Sequence, residues 1–254
     1  MAINRNLKTE GIVLSENRYK DSSKFLNVLT KDFGKITINA KGAMRPKSKI
    51  LSSSQTLAQS KFVLSKYNDT FYIIDSSYIR GYNMYSNNIE KLVTALYFSE
   101  LVDKSLMQNE PNEFIYTFLE SAMLKLKETD ANIRIFKLAF DLKYISYLGY
   151  RPILERCVDC GKKPTENMFF SVEDGGLICN NCLIFHDNYV KLSIENINLL
   201  NLLLYTKFSD LNEIPNTENT ELIKLDKIIN SFIMYNISVD SLNSYKKLME
   251  IYSL

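Results

Sequence analysis

The chain has 254 residues, 46% of them hydrophobic and 24% charged, with a formal net charge of +2. That is the make-up of a globular protein with room for one large or two ordinary domains. It holds no run of eighteen apolar residues, and its start, Met-Ala-Ile-Asn-Arg-Asn-Leu-Lys, lacks the apolar segment of a signal peptide. Neither a membrane span nor export is therefore expected, and a cytoplasmic location is.

The charge is unevenly spread. Residues 1–80 carry fourteen Lys and Arg against six Asp and Glu, an excess of eight, which leaves the remainder of the chain six negative. A basic first unit joined to an acidic second one points to a polyanion partner for the first.

The first eighty residues read as short strands, at 11–14, 24–30, 35–40, 57–66 and 70–79. The third alternates, with Ile36, Ile38 and Ala40 on one face and Lys35, Thr37, Asn39 and Lys41 on the other. Asp32-Phe33-Gly34 supplies one hairpin turn, and Tyr67-Asn68-Asp69 another. Five short strands in this length suit a small closed barrel, of which the OB-fold is the common kind, and the pattern alone does not separate it from an SH3-like barrel. Between the third and fourth strands, residues 41–49 hold Lys41, Arg45, Lys47 and Lys49 with Gly42 and Pro46, a combination that opposes regular structure. These four cations are the first candidates for phosphate contact, with Arg18, Lys20, Lys24 and Lys35 next. Tyr19, Phe33 and Tyr67 lie at strand ends and are candidates for base stacking.

After residue 85 the apolar period becomes helical. Ile89, Leu92, Val93, Leu96 and Leu101 form a stripe that Asn88 is placed to cap, and Pro111 precedes a second stripe from Phe114 to Leu126. Residues 132–148 are apolar on nearly every face, so this helix is expected at a bundle centre, stopped by Gly149 with Pro152 beyond. Ser193 is placed to cap a helix through Tyr205, 209–219 reads as a loop, and helices close the chain near 220–236 and 240–252.

The sharpest chemical signal lies between these helices. Cys157-x-x-Cys160 and Cys179-x-x-Cys182 are the only four cysteines, with eighteen residues between the pairs. Two residues within each pair let both sulfurs reach one ion from a tight turn. The intervening Met168–Val172 and Leu177-Ile178 read as two strands joined by Glu173-Asp174-Gly175-Gly176, which folds the second pair back onto the first. Four sulfurs fill a tetrahedral zinc ion, leaving no open position, so the expected role of Zn2+ is structural. A redox dithiol would instead show one pair beside a βαβ pattern. The single histidine, His186, four residues past Cys182, is expected to be exposed or locally hydrogen-bonded, with a spare metal ligand as the alternative. No phosphate-binding glycine motif is present, and Glu173 and Asp174 read as turn residues, so a binding protein fits better than an enzyme.

Three segments resemble the RecO family of bacterial DNA repair proteins: Arg18-Tyr19-Lys20-Asp21-Ser22-Ser23-Lys24 on to Lys41-Gly42, Leu148-Gly149-Tyr150-Arg151-Pro152 through both cysteine pairs, and Leu242-Asn243-Ser244-Tyr245-Lys246-Lys247-Leu248. The resemblance implies an α+β protein: a five-stranded OB-fold barrel over 1–82 that binds DNA, then an all-helical domain over 83–254 with an inserted four-cysteine zinc module at 155–186. It also implies a recombination mediator, nucleoid-associated, that binds single- and double-stranded DNA and anneals complementary strands. With RecR, such a mediator helps load RecA onto DNA coated by single-strand DNA-binding protein, whose C-terminal tail it recognises. The residues alone leave open a zinc-ribbon, OB-fold RNA-binding accessory factor in transcription or translation.

Overall fold

A computed structural model describes residues 4–68, 70–81, 85–215 and 217–252. Asp69 of the second expected hairpin turn and the expected domain boundary at 82/83 lie outside the described residues. The chain forms two compact units, one from residues 1–127 and 242–254 and the other from 128–241.

The first unit is built on a closed barrel of β1 (Asn4–Tyr19), β2 (Ser23–Thr30), β3 (Gly34–Ala40), β4 (Gln59–Tyr67) and β5 (Thr70–Arg80), in the order β1-β2-β3-β5-β4. This is the OB-fold architecture. β1 is far longer than the 11–14 expected. Its first half pairs with β4 and its second with β2, and a register shift between Val13 and Ser15 lets one strand serve both neighbours. The polar ends of β1 carry no apolar alternation, so its length does not show in the pattern. Val13, Leu26, Val28, Ile36, Ile38, Phe62, Leu64 and Phe71 fill the barrel.

Two helices follow, α1 (Ile89–Ser105) and α2 (Glu113–Glu128). The Asn88 side chain caps α1 as expected, accepting the Lys91 N–H; Asn112 does the same for α2, accepting the Ile115 N–H. The link between them covers the barrel end where β3 starts. Asn109 N–H donates to the Lys35 carbonyl at 2.8 Å, and a side chain at Gly34, whose φ is +67°, would collide with the Glu110 carbonyl. The last helix, α6 (Asn243–Tyr252), returns to this unit and packs on α1. The Glu100 carboxylate of α1 caps it, accepting the Asn243 N–H at 3.1 Å and the Ser244 N–H at 2.7 Å.

The second unit centres on α3 (Ile133–Tyr147), flanked by α4 (Ile194–Tyr205) and α5 (Asn219–Ile237). Ser193 caps α4 as expected. α3 is buried on nearly every face, and its polar residues go with it. Lys137 is fully enclosed and donates to Asp141 and to Asp226 of α5, each at 2.6 Å. Lys143, also buried, donates to the Leu204 carbonyl at 2.6 Å, and burial pushes its pKa down to about 8. A four-stranded sheet, β6 (Ile153–Cys157), β7 (Met168–Ser171), β8 (Gly176–Cys179) and β9 (Tyr189–Leu192), is inserted between α3 and α4. β6 and β9 were not expected from sequence. Among the described residues no helix is long and apolar enough to cross a membrane.

Candidate nucleic-acid interface and cysteine cluster

The strand registers gather the basic residues of the barrel at one rim. Arg18 pairs with Lys24, Lys24 with Ala40, Asn39 with Tyr72, and Tyr67 with Thr70. The end of β1, the start of β2 and the end of β3 therefore meet at one end, opposite the one covered by the α1–α2 link, whereas the end of β4 pairs with the start of β1, and Phe71 at the start of β5 packs on Phe33. Arg18, Lys20, Lys41, Arg45, Lys47 and Lys49 are all exposed where β1, β2 and β3 meet. Lys66, half-buried at the end of β4, stands apart from them, 5.1 Å from the ring centre of Phe71. None of the six exposed cations forms an ion pair among the described residues; the barrel's ion pairs use Lys24, Lys31, Lys35, Lys61 and Arg80.

The loop 41–49 is not the free arm that its composition suggests. It closes in consecutive turns, Arg45 N–H to Gly42, Ser48 N–H to Arg45 and Leu51 N–H to Ser48, and the Met44 N–H anchors it to the Ser22 carbonyl at 3.0 Å. Its cations are thereby presented beside the β1–β2 turn that carries Arg18 and Lys20.

Two expected phosphate contacts are placed otherwise. Lys24 is 7% exposed and its ammonium bonds Glu16 at 2.9 Å. Lys35 is equally buried, under α1, where it pairs with Asp103 at 3.6 Å. Burial lowers its pKa, and the Asp103 carboxylate opposes that shift. The same carboxylate accepts the Ser15 hydroxyl at 2.7 Å and the Asn27 amide at 3.1 Å, so the outer face of β1–β3 at this level is a polar seat for α1. Alternation put Lys35 on the outer face correctly, but did not reveal that a helix covers that face.

The aromatic candidates also divide. Tyr19 is exposed at the basic rim, and Tyr67 is exposed at the β4–β5 turn. Phe33 lies at the covered end and packs on the barrel core, its ring 6.1 Å from that of Phe71. Tyr72, unflagged by sequence, stands at the rim with the Lys41 ammonium 5.0 Å from its ring centre. The strand register between β3 and β5, which no local pattern encodes, is what brings it there.

In the second unit the β7–β8 hairpin pairs Met168 with Cys179 and Ser171 with Gly176, as the turn chemistry led one to expect. β8 also runs parallel to β6, pairing Leu177 with Cys157, which brings the two cysteine turns together. Gly176 is needed for that approach: a Cβ there would lie 2.7 Å from the Ile153 carbonyl. All four Sγ atoms lie within 4.8 Å of one another, and Cys160–Cys179 and Cys179–Cys182 are each 3.6 Å apart. A tetrahedron of metal–sulfur bonds of about 2.3 Å has edges of about 3.8 Å, so the spacing is that of a metal-binding set. Burial raises the thiol pKa values, but backbone N–H groups, including Cys179 N–H to Cys157 Sγ at 3.3 Å, outweigh it at Cys157, lowering it to about 7. Cys179 is lowered similarly, while burial and the other sulfurs raise Cys182. Four thiolates this close repel one another, and a dication removes the conflict.

His186 does not face the sulfurs. Its Nδ1 is 2.8 Å from Asp174 and its Nε2 2.7 Å from Asp159, so both ring nitrogens are engaged and the carboxylates raise its pKa. It ties the first cysteine turn to the β7–β8 turn. Asp174 is also held by Ser171, in keeping with its reading as a turn residue.

Residues 1–82 match the family model for the N-terminal part of recombination protein O, and residues 86–246 match the model for its C-terminal part. The chain belongs to the RecO family. Among its relatives are the DNA repair protein RecO of Bacillus pumilus, 30% identical over 96% of this chain and 97% of the relative. That of Caldanaerobacter subterraneus subsp. tengcongensis is 29% identical over 93% and 95%, and that of Bacillus subtilis 29% over 84% and 83%. The first match ends just past β5, and the second encloses the whole cysteine cluster.

Proposed function

We propose that this protein is a recombination mediator that binds single- and double-stranded DNA through the basic rim of its barrel. The observation that carries the reading is the gathering at one end of the barrel of six exposed cations, all free of ion pairs among the described residues. Cations so placed neutralise phosphates and release counterions, which gives affinity without sequence preference. Two strands held against one positive surface repel each other less, so complementary sequences pair more readily. Annealing then needs no nucleotide hydrolysis and no catalytic residue. Tyr19, exposed among the cations, and Tyr67, exposed at the β4–β5 turn, supply ring faces for unpaired bases.

The proposed cofactor is a structural Zn2+ held by Cys157, Cys160, Cys179 and Cys182; its chemistry is to fix the two cysteine turns in one frame. Family membership supports the rest of the reading: action with RecR to load RecA onto DNA coated by single-strand DNA-binding protein, recognition of that protein's C-terminal tail, and work in the cytoplasm at the nucleoid. In this scheme 1–82 is the DNA-binding domain and 83–254 the domain that carries the zinc module.

The test is a strand-annealing assay without nucleotide, with and without RecR and the coating protein. Acceleration of annealing on coated strands is the expected result. Annealing no faster than the spontaneous rate under every condition overturns the proposal.

A further inference from the structure

The cysteine cluster has a closed side and an open one. Cys157 and Cys179 are buried, joined by the β6–β8 pairing and by the Cys179 N–H, which donates to Cys157 Sγ at 3.3 Å. Val158 N–H donates to the Leu177 carbonyl at 2.8 Å along the same seam. Cys160, by contrast, is exposed and Cys182 half-buried. Each is fixed only within its own turn, where Gly161 N–H returns to the Cys157 carbonyl and Cys182 N–H to the Cys179 carbonyl. Among the described residues no backbone hydrogen bond joins residues 159–163 to 180–187. A ring spans that gap instead. Phe185 N–H donates to the Cys182 carbonyl and His186 N–H to the Leu183 carbonyl, each at 3.1 Å, so successive turns carry His186 as an extension of the second cysteine turn. Its Nε2 then lies 2.7 Å from the carboxylate of Asp159, inside the first turn. Asp174, itself held by Ser171, fixes the ring at its other nitrogen, and only 11% of the His186 side chain is exposed.

We infer that the cluster opens between Cys160 and Cys182 to take up and release its metal, and that the His186–Asp159 contact is the latch on that edge. The inference rests on the reading of the four cysteines as a zinc site. Freeing an ion held by four sulfurs requires some of them to part. Cys157 and Cys179 part only if the β6–β8 seam breaks, whereas Cys160 and Cys182 part by a swing of two short turns. The His186 ring opposes that swing, because it belongs to one turn and is bonded to the other. It touches no sulfur, so it is a positioning residue that acts through Asp159. Partners outside the ligand set ordinarily change metal affinity by about 10- to 100-fold. This one holds a turn and no ligand atom, which puts it at the lower end of that range.

The test follows zinc release from the full, metal-loaded chain to an excess of a chromophoric chelator. His186→Ala is expected to release zinc about tenfold faster than wild type. Asp159→Ala should match it within about twofold, and the double variant should be no faster than either, because all three lose the same contact. Cobalt loading supplies a spectroscopic check: the sulfur-to-cobalt absorption of His186→Ala should coincide with that of wild type, since no ligand has changed. Iodoacetamide added with the chelator, and read by peptide mass, should modify Cys160 and Cys182 before Cys157 and Cys179 in wild type, and in the same order but sooner in His186→Ala. A wild-type order that begins at Cys157 or Cys179 overturns the inference, and this comparison requires no substitution. So does unchanged release from His186→Ala, a shifted cobalt spectrum, or modification of all four sulfurs of the variant at one rate, which is unfolding of the module. Wild-type protein purified without stoichiometric zinc fails at an earlier point: the reading of the cluster falls, and the latch with it.

Discussion

The two ends of the barrel hold the same kinds of side chain and use them differently. At the end covered by the α1–α2 link, Lys31 meets Glu113 of α2, Phe33 packs on the core, and Lys35 is enclosed with Asp103 of α1. At the other end Arg18, Lys20, Lys41, Arg45, Lys47 and Lys49 have no ion-pair partner among the described residues, and Tyr19 is exposed. A lysine under a helix contributes to folding, because its charge has left water and must be matched. A lysine at a bare rim contributes little to folding and is available to a polyanion. The count of cations in the first eighty residues merges these two populations; the covering helices separate them.

The comparison predicts that interior groups govern stability and rim groups govern binding. The largest stability effect is expected in the cysteine cluster. Cys157→Ser should lose stoichiometric zinc and lower the melting temperature markedly, with DNA affinity held within about twofold because the rim lies in the other unit. Metal analysis, a melting curve and a binding isotherm together check this; a mutant that melts normally removes the metal from the account. Next comes Asp103→Ala, which leaves Lys35 charged and unmatched and strips the Ser15 and Asn27 donors of their acceptor. It should cost about 3 kcal/mol in denaturant unfolding while leaving the salt dependence of DNA binding unchanged.

The smallest effect concerns Lys143 of α3, buried without a carboxylate partner for its bond to Leu204. Its folded pKa of about 8 lies below the ordinary 10.5. Below the folded value both states carry the proton and the burial cost is present in full. As pH rises between the two values the unfolded chain holds more protons, so the folded protein gains stability relative to it. Wild-type protein should therefore gain on the order of 2 kcal/mol relative to Lys143→Met between pH 8 and 10. Parallel unfolding curves at both pH values would show that the amine keeps its proton in the fold and that its pKa is not lowered.

Local chemistry was legible in the sequence wherever the cause was local. Asn88 and Ser193 cap their helices, the Cys-x-x-Cys pairs converge through the hairpin set by Glu173-Asp174-Gly175-Gly176, and Gly149 ends α3. What escaped depends on partners far along the chain. β9 is four residues long and exists because β7 lies beside it. α6 belongs with the barrel because Glu100, more than a hundred residues earlier, caps it. Lys35 read as solvent-facing because alternation reports which side of a strand a residue is on, and nothing about what rests on that side. Tyr72 went unread for the complementary reason, since only the β3–β5 pairing places it beside Lys41.

The most direct measurement is the salt dependence of single-strand binding by wild-type protein and by the Arg45→Glu, Lys47→Glu, Lys49→Glu triple variant. With most of the six rim cations on phosphates, the log–log slope should be about −4, and the triple variant should be shallower by about 2 with an unchanged melting temperature. Identical slopes for the two proteins would contradict the claim that the bare rim is where nucleic acid binds.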